Sequence, residues 1–159
     1  MTREPPPRVR EANASDADAL AELLRQLGYS RTPSEVRERL AELAASAADV
    51  SLVAVIGSTP VGLASLHLIP LLQEARPIAR ITAFVVAEAA RRRGVGRLLV
   101  AACEARARAW SADRLELTSS DHRREAHEFY VSLGFTRVAQ RFVRRLDATG
   151  LRSSAPSSE

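Results

Sequence analysis

Ile81-Thr82-Ala83-Phe84-Val85-Val86, followed by Arg91-Arg92-Arg93-Gly94-Val95-Gly96-Arg97 and then a helix-like run from Leu98 to Trp110, is the stretch that decides how this chain folds. The first segment is apolar and strand-like, and the order strand, short loop, helix leaves unpaired backbone N–H groups at the helix start. Those donors and the positive end of the helix dipole form an anion site. Gly94 and Gly96 let the backbone approach a ligand closely, while Arg91, Arg92, Arg93 and Arg97 add positive charge. The stretch therefore reads as a phosphate holder. It is not the complete dinucleotide fingerprint G-x-G-x-x-G, because Leu99 stands where the third glycine would be.

Working outward, Val9 to Ala12 reads as a first strand. Ser15 with Asp18 reads as a capping box that opens a helix with the stripe Leu20, Leu23, Leu24 and Leu27, stopped by Gly28. Thr32-Pro33-Ser34-Glu35 opens a second helix: Thr32 caps, Pro33 takes the first helical position and Glu35 closes the box. Its buried face is expected to be Val36, Leu40, Leu43 and Ala44. Ser51 to Ile56 and Val61 to Ile69 are β-type runs joined by the turn Gly57-Ser58-Thr59-Pro60. After a loop from Pro70 to Pro77 come a strand at Arg80 to Val86, the arginine loop, a helix from Val95 to Trp110 and a strand at Arg114 to Thr118. A helix over Arg124 to Leu133 and a strand over Arg137 to Leu146 complete the order βααβββαβαβ. Helices between the later strands imply parallel pairing and the hairpin implies antiparallel pairing, so the expected fold is α/β, a mixed central β-sheet flanked by helices.

The totals set limits on this reading. A chain of 159 residues, 46% apolar and 26% charged, suits one globular domain. Residues 1–7 read as a flexible N-terminal tail, 8–146 as a single domain and 147–159 as a disordered C-terminal tail. No apolar run approaches the roughly 20 residues that span a bilayer, the N-terminus has no secretory core, and Cys103 is the only cysteine, so a cytoplasmic location and no membrane partner are expected. All 23 basic residues are arginine, which codon usage in a GC-rich genome explains. The absence of lysine excludes a Walker lysine and a Schiff-base lysine. The net charge of +4 agrees with an anionic ligand.

A second signal is Arg123-Arg124-Glu125-Ala126-His127-Glu128-Phe129-Tyr130-Val131-Ser132-Leu133-Gly134-Phe135. Ala126, Phe129 and Leu133 share a helical face, and Tyr130 stands about 100° from Phe129, at the edge of that stripe. A tyrosine there either packs in the core or keeps its ring inside and its hydroxyl in a cleft.

Taken together, Ile81 to Leu99 and Glu116 to Phe135 resemble the two signature regions of the GNAT-type N-acetyltransferase superfamily, whose members use acetyl-CoA. The element order from Val9 to Leu146 is similar as well. The resemblance implies the acyl-CoA N-acyltransferase fold and transfer of acetyl from acetyl-CoA to an amine by direct attack in a ternary complex, with no metal. It also implies roles for positions. Phe84, Val85 and Val86 would hold the pantetheine arm; Arg91, Arg92, Arg93, Gly94, Val95, Gly96 and Arg97 would cradle the pyrophosphate, mainly through backbone N–H groups. Tyr130 would be the general acid that protonates the leaving thiolate, a role that suits a phenol with a pKa near 10. Arg123 stands where many members have an asparagine that contacts pantetheine, and is read as a cofactor-binding residue in its place.

The general base is left open. The strand Ile81 to Phe84 carries no carboxylate, and the candidates are His67, Glu116 and His127, or a water relay with no dedicated base. Glu116 alternates with Leu115 and Leu117 and so points away from their face; His127 is placed on the exposed side of its helix. Cys103 reads as core packing. The acceptor, a small-molecule or protein amine, would meet Gln26 to Arg31 (with Tyr29 and Arg31) and the Pro70 to Pro77 loop. A non-catalytic CoA-binding sensor or a nucleic-acid-binding module is the alternative use of such a fold. The arginines lack interleaved aromatics, which argues against nucleic acid. The resemblance leaves a homodimer open.

Overall fold

A computed structural model of the chain describes residues 3–119 and 123–146. The tail expected over 147–159 therefore lies outside the described residues, as do Met1 and Thr2. By internal contact the chain forms two compact units, Met1–Ser120 and Asp121–Glu159.

In the first unit the order is β1 (Arg8–Glu11), α1 (Ala17–Leu27), α2 (Pro33–Ala44), β2 (Asp49–Ile56), β3 (Thr59–Ile69), β4 (Ile78–Val86), α3 (Val95–Ala109) and β5 (Leu115–Leu117). The five strands form one sheet in sequence order, antiparallel from β1 to β4, with β5 parallel to β4. The mixed sheet follows from the connections: β2 to β3 turns at Gly57, whose φ is +62°, whereas β4 reaches β5 through α3.

Alternation along the strands divides the core into two layers. Leu52 and Ala54 of β2, Ala64 and Leu66 of β3 and Ile81 of β4 pack on Val95, Leu99 and Cys103 of α3. Val53, Val55, Leu63 and Val85 face the other way, against Leu20 and Leu23 of α1 and Val36 of α2. Gly62 lets α3 lie close to β3, since a Cβ at that position would stand 2.8 Å from Leu99 Cδ1 and 3.2 Å from Val95 Cγ1. Only Val36 of the predicted α2 face is buried; Leu40 and Leu43 are half-buried and Ala44 is exposed.

The helix ends follow local chemistry. Thr32 accepts from Glu35 N at 3.2 Å while Thr32 N donates to Glu35 Oε2 at 2.8 Å, the capping box expected of α2. The box at the start of α1 is formed by Asn13 and Asp16, within a 3-10 turn over Ala14–Asp16, and not by Ser15 and Asp18. Asp16 prevails because its carboxylate also serves Arg10. Buried at 4% exposure, it accepts from both Arg10 amino groups at 2.8 Å and from Asn13 N at 2.8 Å.

Those donors, Arg10 foremost, hold the Asp16 carboxyl below the usual carboxylate range. A depressed folded-state pKa means that the stabilisation is present above the unfolded-state value and is lost as pH falls through the folded one. Asp16→Asn is expected to lower unfolding free energy by about 2 kcal/mol at neutral pH, with a gap that closes below about pH 4. Urea melts across pH check this; a gap of constant size would mean that the Asp16 charge is not what stabilises the turn.

The second unit contains α4 (Arg124–Ser132) and its C-terminal turn. Gly134 has φ +90°, Gly134 N donates to Val131 O at 3.0 Å and Phe135 N to Tyr130 O at 3.0 Å. This is the Schellman pattern, in which the left-handed residue lets the chain cap its own last carbonyls. The α1 terminus repeats it at Gly28, with Tyr29 N donating to Leu24 O at 2.8 Å. The strand expected over Arg137 to Leu146 is not formed among the described residues. Its apolar residues Val138, Phe142, Val143 and Leu146 are exposed, and its own unit has no described strand to give it a ladder.

Candidate active site

Two bulges and an early-ending strand shape the sheet around its fourth strand. Between β2 and β3 the register moves from Val55↔Pro60 to Ala54↔Gly62, so Val61 is an extra residue. Between β3 and β4 it moves from Ser65↔Ala83 to Leu66↔Ile81, so Thr82 is extra, and its hydroxyl donates to Ser65 O at 3.2 Å. Among the described residues β5 pairs with β4 at Ala79↔Leu115, Arg80↔Glu116 and Ile81↔Leu117. β4 runs on from Thr82 to Val86 beyond its last ladder pair with β5, and Phe84, Val85 and Val86 lie on this extension.

The arginine loop follows directly. Ala87 N donates to Val61 O at 2.8 Å, which continues the β-ladder, and a 3-10 turn at Glu88–Ala90 buries Ala90 in the core. Gln26 at the end of α1 accepts from Glu88 N at 3.0 Å and ties the loop down. The backbone then passes through left-handed positions at Arg92 (φ +62°) and Gly94 (φ +78°) before α3 begins at Val95. Arg92 adopts a conformation that disfavours a side chain by about 1–2 kcal/mol, so the loop holds strain where it turns. No side chain caps α3, and its first turn carries no acidic residue. Its leading N–H groups are thus not taken by a cap, with Gly96 at the second helical position.

Arg91, Arg92, Arg93 and Arg97 are all exposed around this helix start. Arg91 Nε donates to Val86 O at 3.4 Å, and Arg93 is paired with Glu4. Arg92 and Arg97 have no hydrogen-bond or ion-pair partner among the described residues.

The sheet face beneath α1 and α2 carries the remaining candidates. Beyond the buried Val53, Leu63 and Val85 it becomes polar: Ser51 and Ser65 sit opposite each other with hydroxyls 3.3 Å apart. The next row is Asp49, His67, Arg80 and Glu116, each paired across the ladder with the next. His67 Nδ1 lies 2.7 Å from Asp49 Oδ1. Glu116 points away from Leu115 and Leu117, as its alternation implies, and meets two arginines, Arg80 at 3.4 Å and Arg114 at 3.7 Å. Asp49 and Arg80 were not among the sequence candidates.

Cys103 is fully buried and its thiol is pushed up to about 12 by burial, which leaves it inert at neutral pH. Tyr29 and Arg31 are exposed beyond α1. In the second unit Tyr130 is half-buried, its ring 5.5 Å from Phe129 and 5.8 Å from Phe135 between centroids. Arg123 immediately precedes α4 and is exposed, whereas His127 is half-buried.

A strand that outruns its neighbour into a glycine-opened, uncapped helix start is a fold-level pattern, and a sequence profile of the acetyltransferase (GNAT) family matches residues 17–135. The chain belongs to that family. Among solved structures it is similar to a protein named "Putative acetyltransferase from Agrobacterium tumefaciens str. C58", at 31% identity and TM-score 0.79, covering 87% of this chain and 99% of that one. A transcriptional regulator from Bacillus halodurans C-125 shares the fold at 23% identity and TM-score 0.81, covering 88% of this chain and 99% of that one. So does the aminoglycoside N-acetyltransferase AAC(6')-Iy, solved in complex with CoA, at 17% identity and TM-score 0.81, covering 92% and 98%. No curated protein sequence matches the chain. As a GNAT-family chain it has the mixed sheet expected from its sequence, and no helix among the described residues is long and apolar enough to cross a membrane.

Proposed function

We propose that this protein is an N-acetyltransferase that moves acetyl from acetyl-CoA to an amine of a small molecule or protein by direct attack in a ternary complex. The observation that carries this reading is the continuous track formed by the β4 extension, the left-handed Gly94 and the uncapped start of α3. A strand edge continuing past its neighbour offers backbone groups to an amide-bearing arm such as pantetheine. The helix start offers N–H donors and a positive dipole to a pyrophosphate. Phe84, Val85 and Val86 would hold the arm, and Arg91, Arg92, Arg93, Gly94, Val95, Gly96 and Arg97 the phosphates. Arg93 would leave Glu4 to do so. Arg123 is assigned to the cofactor as well.

Acetyl-CoA supplies an activated acetyl group as a thioester. The chain has to free the amine lone pair and protonate the departing sulfur. His67 is the base that takes a proton from the acceptor ammonium; Glu116, with each carboxylate oxygen facing an arginine, is the weaker candidate. As the C–N bond forms and the C–S bond breaks, Tyr130 gives its phenolic proton to sulfur and regains one from the amine nitrogen through solvent. The net change is one amide, one thiol and one proton released.

Calorimetry with acetyl-CoA, followed by release of free CoA across a panel of amines, tests the proposal. Saturable binding with amine-dependent CoA release is expected. Binding without release for any amine would make the protein a CoA sensor, and no binding would remove CoA altogether.

A further inference from the structure

The row Asp49–His67–Arg80–Glu116 crosses four strands on one face of the sheet, and its members differ in which atoms they leave open. Glu116 has one carboxylate oxygen toward Arg80 and the other toward Arg114. Arg80 is a permanent cation with no lone pair to offer. Asp49 is the more enclosed partner of its pair, with 16% of its side chain exposed against 43% for His67. His67 is thus anchored at Nδ1 and open at Nε2, which has no hydrogen-bond partner among the described residues.

We propose that Asp49 is the positioning residue for His67 in the acetyl transfer proposed above. An ionised carboxylate is an acceptor only, so the imidazole nitrogen 2.7 Å from it carries the proton. The neutral ring is then the Nδ1–H tautomer, and its basic lone pair sits at Nε2, on the open face. The cross-strand pairing of Asp49 with His67 fixes the direction of that lone pair as well as the tautomer. The location suits an acceptor amine. His67 pairs with Arg80, two residues from Thr82, where β4 leaves β5, a step of about 7 Å along the strand. A base at this place stands beside the start of the track assigned to pantetheine.

The proposal rests on the acetyltransferase reading, and its test separates the two. In 15N spectra of histidine-labelled protein, His67 is expected to show a protonated Nδ1 and an unprotonated Nε2 when neutral. In Asp49→Asn the tautomers are expected to mix. His67→Gln is expected to lower kcat about 100-fold and Asp49→Asn about 10-fold, with acetyl-CoA affinity unchanged within about twofold. The double variant is expected to be no slower than His67→Gln alone, because Asp49 acts only through the ring. Asp49→Ser provides a second neutral variant should Asp49→Asn fold poorly. Additive losses in the double variant, a protonated Nε2 in the neutral wild-type ring, or an Asp49→Asn enzyme as fast as wild type would each overturn the proposal. A protein that binds acetyl-CoA and shows no turnover with any amine overturns the acetyltransferase reading instead, and the tautomer spectra still report whether Asp49 orients the ring.

Discussion

Gly94→Glu is expected to weaken acetyl-CoA binding by at least about 100-fold, a loss of roughly 2.7 kcal/mol. Three effects act together at this position. The backbone at φ +78° lies where any side chain is strained by about 1–2 kcal/mol. Apart from the adjoining residues, no described atom lies within 4 Å of the place a Cβ would take, so the new side chain is not pushed aside by a neighbour and extends into the space assigned to phosphate. Its carboxylate would also satisfy the uncapped N–H groups of α3 itself, as an acidic cap does, and so compete with the ligand for the same donors. Gly94→Ala separates the effects. It keeps the strain and removes the charge, and its loss is expected to be no more than about 10-fold. Neutralising the exposed Arg97 should cost less again, since a solvated cation adds little to a site formed by backbone donors. Calorimetry on folded protein decides it. Affinity for Gly94→Glu within threefold of wild type would exclude this helix start as the phosphate site.

What the sequence revealed of this site was its local part. A strand, a loop with two glycines and a helix can be read from apolar pattern and turn chemistry alone, and Thr32-Pro33-Ser34-Glu35 and Leu133-Gly134-Phe135 form the capping arrangements that their residues favour. The acceptor side depended on register, which is not local. A plain hairpin through Gly57 and Ser58 would continue the pairing Val55↔Pro60 until Asp49 met Leu66. The bulge at Val61 moves the register by one residue, so Asp49 meets His67. A slip of one residue exchanges the two faces of a strand, and the close fit of Gly62 against Ala54 and α3 suits the register that forms. Thr82 acts similarly in β4: without that extra residue Arg80 and Val85 would point to opposite faces, and the row from Asp49 to Glu116 would be broken. The capping box at the start of α1 departs from the local pattern for a related reason. Asn13 and Asp16 prevail over Ser15 and Asp18 because Arg10, on a strand, reaches Asp16.

Tyr130→Phe is expected to leave acetyl-CoA affinity within about twofold of wild type and to lower kcat by about 100-fold or more. The substitution isolates the hydroxyl. The ring contacts with Phe129 and Phe135 and the backbone hydrogen bond from Phe135 N to Tyr130 O need only the aromatic ring and the main chain, so the helix terminus should keep its form. What is lost is a well-matched proton donor, since a phenol stays protonated at neutral pH and still yields its proton to a thiolate that forms beside it. A residue acting only when the C–S bond breaks contributes to the transition state and not to ground-state binding, so the defect belongs in kcat with KM for both substrates little changed. A parallel loss of acetyl-CoA affinity would instead make Tyr130 a binding residue. A variant as fast as wild type would exclude Tyr130 as the acid and pass the proton on the departing sulfur to water.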